Sequence, residues 1–203
     1  MSVIWLILAI SFWGVIHSVL ASLEAKGIFT RWLGTRFMRF YRLLYNLFSL
    51  VTFLPVLALT LILPDQMLYS ISFPWSLAAL TGQLIAGVLL VVGLLQTDTL
   101  SFVGLRQILE PQQAPSRLVT KGLYHWVRHP LYSAGLLFIW LTPSITLNTF
   151  VLYLSLSVYI LIGAHYEEHK LLHEFGQDYA EYQVATAMLI PGLKIPWMRA
   201  WQK

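Results

Sequence analysis

Cysteine is absent from this 203-residue chain. That excludes disulfides, thiolate nucleophiles, Cys-ligated zinc and iron–sulfur centres. Charge is nearly as scarce. Asp, Glu, Lys and Arg make up 11% of the residues and hydrophobic residues 58%, whereas a soluble domain carries about 25% charged residues. The chain therefore reads as an integral membrane protein. Its length suits one compact domain over 1–203, with no room for a separate soluble module. No internal repeat and no low-complexity segment stand out. No positive charge precedes the first apolar run, and a signal peptide normally has one. The first run is thus expected to be an uncleaved span.

Long apolar runs are what the sequence has in abundance. Residues 3–22, 41–63 and 74–96 each supply about the 20 residues that a bilayer core requires. Pro55 is expected to kink the second. A fourth apolar region, 131–164, is too long for one span and is interrupted by Thr142-Pro143-Ser144. Proline breaks helices and its polar neighbours favour a turn. A helical hairpin is expected, with a short arm at 131–141 and a longer one at 148–166. The predicted fold is an all-α integral membrane protein of about five transmembrane helices that ends in this hairpin. Three N-terminal spans occupy 1–96, and cofactor-covering helices follow on the cytoplasmic side.

Positive charge is missing from the connections 64–73 and 142–147. All thirteen Lys and Arg residues fall on the other side: Lys26 to Arg42, Arg106 to Arg128, and Lys170, Lys194, Arg199 and Lys203. The positive-inside rule puts that side in the cytoplasm and the N-terminus outside. Topology thus explains the net charge of +4; a nucleic-acid partner would need a basic, solvated face with stacking aromatics. Residues 27–40 mix Arg with aromatics, as an interfacial segment does.

Two polar clusters flank the hairpin. Gly122-Leu-Tyr-His-Trp-Val-Arg128-His129-Pro130-Leu-Tyr132-Ser-Ala-Gly135 enters it, and Tyr166-Glu167-Glu168-His169 leaves it. Polar groups at a membrane boundary are costly unless solvated or used. Both clusters are expected on the cytoplasmic face, so Arg128 and His129 can face the two carboxylates across a pocket. Gly122 and Gly135 are expected to permit close backbone approach, and Pro130 to start a helix.

The ordered set Arg128-His129-Pro130-x-Tyr132-x-x-Gly135, a hairpin, Glu167-Glu168, Phe175-Gly176-x-x-Tyr179-x-x-Tyr182 and Pro191 resembles the isoprenylcysteine carboxyl methyltransferase and phospholipid methyltransferase superfamily. The resemblance covers about residues 117–191 and makes that stretch the expected cofactor-binding core. It implies S-adenosyl-L-methionine as cofactor and a methyl acceptor that is lipophilic or small. It places Lys121, Gly122, Leu123, Tyr124, His129 and Tyr132 near the cofactor, with Glu167 and Glu168 at its polar end. Arg128, His129 and Tyr132 are the candidate catalytic residues. The chemistry suits those types: carboxylates bind an ammonium or hydroxyls, and an arginine binds a carboxylate. No strand, glycine-rich loop and helix of the soluble methyltransferase kind is present.

The N-terminal half carries shorter matches. His17-Ser18-x-x-Ala21-Ser22, Arg42-x-x-Tyr45-Asn46 and Asp98-x-x-x-Phe102-x-Gly104-Leu105-Arg106-Gln107 are similar to the bacterial branch with NnrU-like and methanethiol S-methyltransferase-like proteins. That branch implies a bacterial inner membrane and an acceptor other than a prenylated protein. A carboxylate acceptor needs no base. A thiol, with a pKa near about 8.5, benefits from one such as His129 or His17, and an amine must be neutral. Arg106 and Arg128 are candidates to orient an anionic acceptor. Two rival classes remain. His165, His169 and His173 share a helical face and could hold a metal or haem, and the chain could be a non-enzymatic membrane protein. Gly82, Gly87 and Gly93 give no clean dimer spacing, so oligomeric state is open.

Overall fold

A computed structural model describes residues 1–109 and 117–193. Lys194, Arg199 and Lys203, and part of the connection 97–130, lie outside these. The chain is helical almost throughout. Among the described residues, four helices are long and apolar enough to cross a membrane: α1 (Ser2–Ala21), α2 (Leu23–Ile62), α3 (Trp75–Gln96) and α7 (Leu147–Phe175). Between them lie α4 (Thr99–Val103), α5 (Arg106–Leu109), a 3-10 turn at Gly122–His125, and α6 (Pro130–Trp140); α8 (Gln177–Ala185) follows α7. In no long helix is more than 17% of the most apolar window buried. Side chains such as Leu54, Leu84 and Leu95 face outward, as suits a hydrocarbon solvent. The short hairpin arm, α6, is a fifth apolar helix of 11 residues, shorter than a span requires.

The described residues form two compact units. One holds 1–73, 98–109 and 143–159; the other holds 74–97, 117–142 and 160–193. Helix α7 gives its first part to one unit and its second part to the other.

In the first unit, Leu6 and Ile10 of α1, Val56 of α2 and Val151 and Leu152 of α7 make the buried core. The connections 64–73 and 142–147, read from sequence as loops, contain two short antiparallel strands. These are β1 (Met67–Ser70) and β2 (Ser144–Thr146), with Ser70 opposite Ser144. Pairing satisfies backbone groups that an apolar setting would leave costly. Fully buried Asn148 donates to the carbonyls of Thr60, Leu63 and Pro64. Asp65 accepts from the Asn148 amide at 3.0 Å. The start of α7 is thereby tied to the end of α2.

The break in α2 is at Gly34, with φ 77° and ψ 169°, a sign of φ that suits glycine. Pro55 lies inside the helix and keeps helical dihedrals. At the other end of the unit, α4 and the glycine that caps it lie against α2. Arg42 donates to the Ser101 carbonyl at 2.7 Å, and Asn46 donates to those of Phe102 and Val103. Gly104, at φ +100°, sits so close that a Cβ there would be 2.5 Å from the Leu43 nitrogen.

The second unit packs α3 against α6. Gln83 donates to the Phe138 carbonyl at 2.9 Å. At the far end of α3, Gln96 accepts from the Leu123 amide at 2.8 Å. Gly122, at φ +66°, leaves room for that side chain; a Cβ would lie 2.5 Å from it. The close approach expected at Gly135 is absent. A Cβ there meets nothing within 4 Å, because that face of α6 is not covered by backbone.

Gly104 combines a positive φ with a backbone clash for any side chain. Gly104→Ala should therefore lose at least about 1–3 kcal/mol, read as a lowered Tm in detergent. Gly163→Ala, with open space around it, should lose nothing. Equal Tm values for the two variants would contradict this packing.

Candidate active site

The segment from Val127 to His129 runs extended into Pro130, the first residue of α6. Its backbone is held by the strand-like stretch after α8. The amide of Arg128 donates to Ala187 O at 2.9 Å and that of His129 to Met188 O at 3.1 Å. Ser133 Oγ reaches Leu189 O at 2.6 Å. This backbone pairing fixes where the side chains of 128, 129 and 132 begin.

Those side chains meet the end of α7. Glu168, 7% exposed, receives five donors. Oε1 accepts from Arg128 Nε (2.9 Å), His129 Nε2 (2.6 Å) and Tyr179 Oη (2.8 Å). Oε2 accepts from Arg128 Nη2 (2.8 Å) and Gln183 Nε2 (2.6 Å). A carboxylate offers about four lone-pair sites, so Glu168 has no capacity left for a ligand. Arg128 is equally occupied. Its Nη1 donates to the carbonyls of Gln183 and Thr186, which leaves one of its five N–H donors. The side chains of Arg128 and Glu168 are each 8% exposed. Both are taken up by groups of the chain itself and tie three of its stretches together as a structural frame.

Glu167 differs. Its side chain is 42% exposed. Oε2 accepts from Tyr132 Oη at 2.8 Å and lies 3.7 Å from His129 Nδ1. The rings of His129 and Tyr132 stack at 5.4 Å, so one face of α6 presents both toward the neighbouring carboxylates. Burial and the Glu167 charge push the Tyr124 hydroxyl up to about 12. The Tyr124 carbonyl accepts from Tyr182 Oη, which pins the 3-10 turn to α8. Lys121 precedes that turn and is exposed.

An apolar cavity of about 450 Å³ opens beside the turn. Leu89, Leu123, Trp126, Pro130, Trp140 and Leu189 are among its walls. Its size is that of a small-molecule site.

The other sequence-derived candidates are placed as follows. His165 Nε2 and His169 Nε2 lie 3.3 Å apart at the surface. Among the described residues no group of three or more His, Asp or Glu side chains is arranged to hold a metal. Arg106 pairs with Asp98, Nε to Oδ2 at 2.7 Å. His17 contacts Tyr45. The roles of Tyr179 and Gln183 were not read from the sequence. Tyr179 was visible only as part of the Phe175-Gly176-x-x-Tyr179-x-x-Tyr182 spacing, and nothing local marks Gln183.

With this geometry in place, comparison with known proteins is informative. A methanethiol S-methyltransferase from Crocosphaera subtropica is 31% identical over 186 residues, covering 86% of this chain and 69% of that protein. The chain belongs to the methanethiol S-methyltransferase family. A methanethiol S-methyltransferase from Pseudomonas deceptionensis is 43% identical over 75 residues, 37% of this chain and 29% of that one. For methanethiol S-methyltransferase 2 of Bradyrhizobium diazoefficiens the identity is 40% over 74 residues, 36% of this chain and again 29% of the relative. The chain thus matches under a third of the length of these two family members. No family model matches it, and no solved structure does.

Helix α7 is 29 residues long, about 43 Å at 1.5 Å per residue. That exceeds a hydrocarbon core of about 30 Å, so its last turns, with Glu168, lie beyond the apolar stretch. Burial alone would raise the Glu168 pKa. Hydrogen bonds from His129 and Arg128, and their charge, outweigh burial and hold it at about 2. Its folded value is below its unfolded value of about 4.3. The stability it contributes is therefore present above the unfolded value and is lost as pH falls toward about 2. Glu168→Gln should remove this acid-side dependence from Tm measured against pH. Glu168→Ala leaves a buried guanidinium unpaired and should cost about 3–5 kcal/mol. An unchanged Tm in Glu168→Ala would refute the frame role.

Proposed function

We propose that this membrane protein transfers a methyl group from S-adenosyl-L-methionine to a small thiol. The observation that carries the proposal is the division between the adjacent carboxylates. Glu168 is saturated by its own chain, while Glu167 keeps an exposed carboxylate held by Tyr132 and beside His129. A carboxylate so fixed is suited to an ammonium or a ribose hydroxyl. The apolar walls of the adjoining cavity suit a flat or aliphatic group. The names of the relatives support a thiol as acceptor.

S-adenosyl-L-methionine, when bound, supplies a methyl group on a sulfonium. The chain's contribution is to hold that group in place and exclude water. Glu167 binds the cofactor's polar end, and Tyr132 and His129 orient Glu167. Lys121, Gly122, Leu123 and Tyr124 supply the neighbouring turn, fixed by Gln96 and Tyr182. Arg128 and Glu168 keep the two sides of the hairpin in register.

The site lies at the cytoplasmic surface of a bacterial inner membrane. Support comes from the thirteen cations opposite the connections 64–73 and 142–147, and from the pairing of those two connections through β1 and β2.

Glu167→Ala should weaken S-adenosyl-L-methionine binding by about 10–150-fold, the loss of one charge-assisted contact. Titration calorimetry on the purified protein measures this, and the Tm should move little. Unaltered affinity would remove Glu167 from the site. Labelled methyl transfer to a small thiol, a prenylcysteine and phosphatidylethanolamine tests the acceptor. Label in the thiol product is expected, and label only in another product would overturn the thiol reading.

A further inference from the structure

Three histidines of α7 take no part in the cofactor site. His165, His169 and His173 recur every four residues, which sets them on one side of the helix. The structure brings two of them together. His165 Nε2 and His169 Nε2 lie 3.3 Å apart. Their ring centroids are 4.8 Å apart, and the rings stand nearly perpendicular at 87°. The two nitrogens are thus nearer to each other than the rings that carry them, so both Nε2 atoms are turned into one gap. His169 is exposed and His165 half-buried, which puts that gap at the surface.

The separation has a chemical meaning. Zinc holds histidine nitrogens at about 2.0–2.1 Å in a tetrahedral shell, which places two such ligands about 3.3–3.4 Å from each other. Two neighbouring ligands of a square-planar ion, at the same bond length, would lie about 2.8–3.0 Å apart. The observed 3.3 Å matches the tetrahedral case. Histidines one helical turn apart are also a spacing that zinc uses. The rival account is a hydrogen bond from one ring to the other, which needs one donor and one acceptor and predicts no affinity for metal.

We propose that His165 and His169 hold a divalent metal ion of the zinc type across the last turns of α7. The chain supplies two imidazole ligands, and two positions of the tetrahedron remain for water. The ion sits apart from the proposed cofactor site. At about 100° per residue, Glu167 leaves the helix on the side opposite the midpoint of His165 and His169. The ion therefore clips the turn that carries Glu167 and Glu168 from the other face of α7. Its role is structural: it fixes the helix end from which both carboxylates project.

The test uses the full chain in detergent, free of any polyhistidine tag and stripped with a chelator. It is titrated with Zn2+ by calorimetry at a pH above the usual imidazole pKa of about 6.5. One Zn2+ per chain is expected, with a Tm that rises on saturation and falls back when chelator is added. X-ray absorption at the zinc edge should show two imidazole ligands per ion. His165→Gln and His169→Gln should each weaken binding by at least about tenfold, and His173→Gln should leave it unchanged. Without metal, the three variants should share the Tm of the unsubstituted protein, which shows that each is folded. Absence of zinc binding, or binding that survives both substitutions, would overturn the proposal and leave the pair as a ring-to-ring hydrogen bond. A loss in His173→Gln as large as in His169→Gln would overturn the two-ligand assignment.

Discussion

The buried ion pair between Arg128 and Glu168 is the constraint on which the second unit depends. Burying a carboxylate and a guanidinium costs several kcal/mol per ion unless nearly every polar atom is paired. Here the pairing is close to complete, and it draws on three separate stretches of chain. Arg128 and His129 come from the entry to α6, Glu168 from α7, and Tyr179 and Gln183 from α8. None of these can be placed independently. The carbonyls of Gln183 and Thr186 that Arg128 also uses stop α8 at the point where the chain turns to run beside residues 127–129. Tyr179 is 1% exposed, and burial together with the Glu168 charge raises its pKa. Its hydroxyl therefore stays a donor throughout the physiological range.

Consecutive helical residues point about 100° apart, so two adjacent carboxylates cannot share one environment. Glu168 turns inward and is saturated, whereas Glu167 stays open and keeps acceptor capacity. The pattern matches the general rule that neighbouring titratable groups take separate roles when their surroundings differ. The sequence pair Glu-Glu carries no label saying which is which. The donors decide it, because Arg128 and His129 at the entry to α6 and Tyr179 and Gln183 of α8 all reach Glu168.

Much of the fold was legible because a bilayer enforces length and composition. Helices at 2–21, 75–96 and 130–140 lie within a residue or two of the apolar runs. Charge scarcity announced the class, and Thr142-Pro143-Ser144 announced the turn. What was not legible follows from interactions that lack a local signature. Strands β1 and β2 are short and fully dependent on each other, so neither shows a pattern alone. The break at Gly34 went unread because an isolated glycine in an otherwise helical stretch does not announce a positive φ. At the candidate site the residue types were readable from Arg128, His129, Tyr132, Glu167 and Glu168. Their division into frame and open groups was not, since it is set by hydrogen-bond partners up to 58 residues apart in the chain.

The motif Arg42-x-x-Tyr45-Asn46 makes sense as one device once its spacing is set on a helix. Positions i, i+3 and i+4 lie on one face, so α2 offers three polar side chains together in an otherwise apolar segment. Tyr45 turns to His17 on α1, and Arg42 and Asn46 hold the backbone at 101–103. Gly104 allows that loop to rest on α2, and the Asp98–Arg106 pair closes it. The same turn of α2 therefore fixes both the imidazole of His17 and the end of α4, so the i, i+3, i+4 spacing joins two contacts that the sequence shows only as separate motifs.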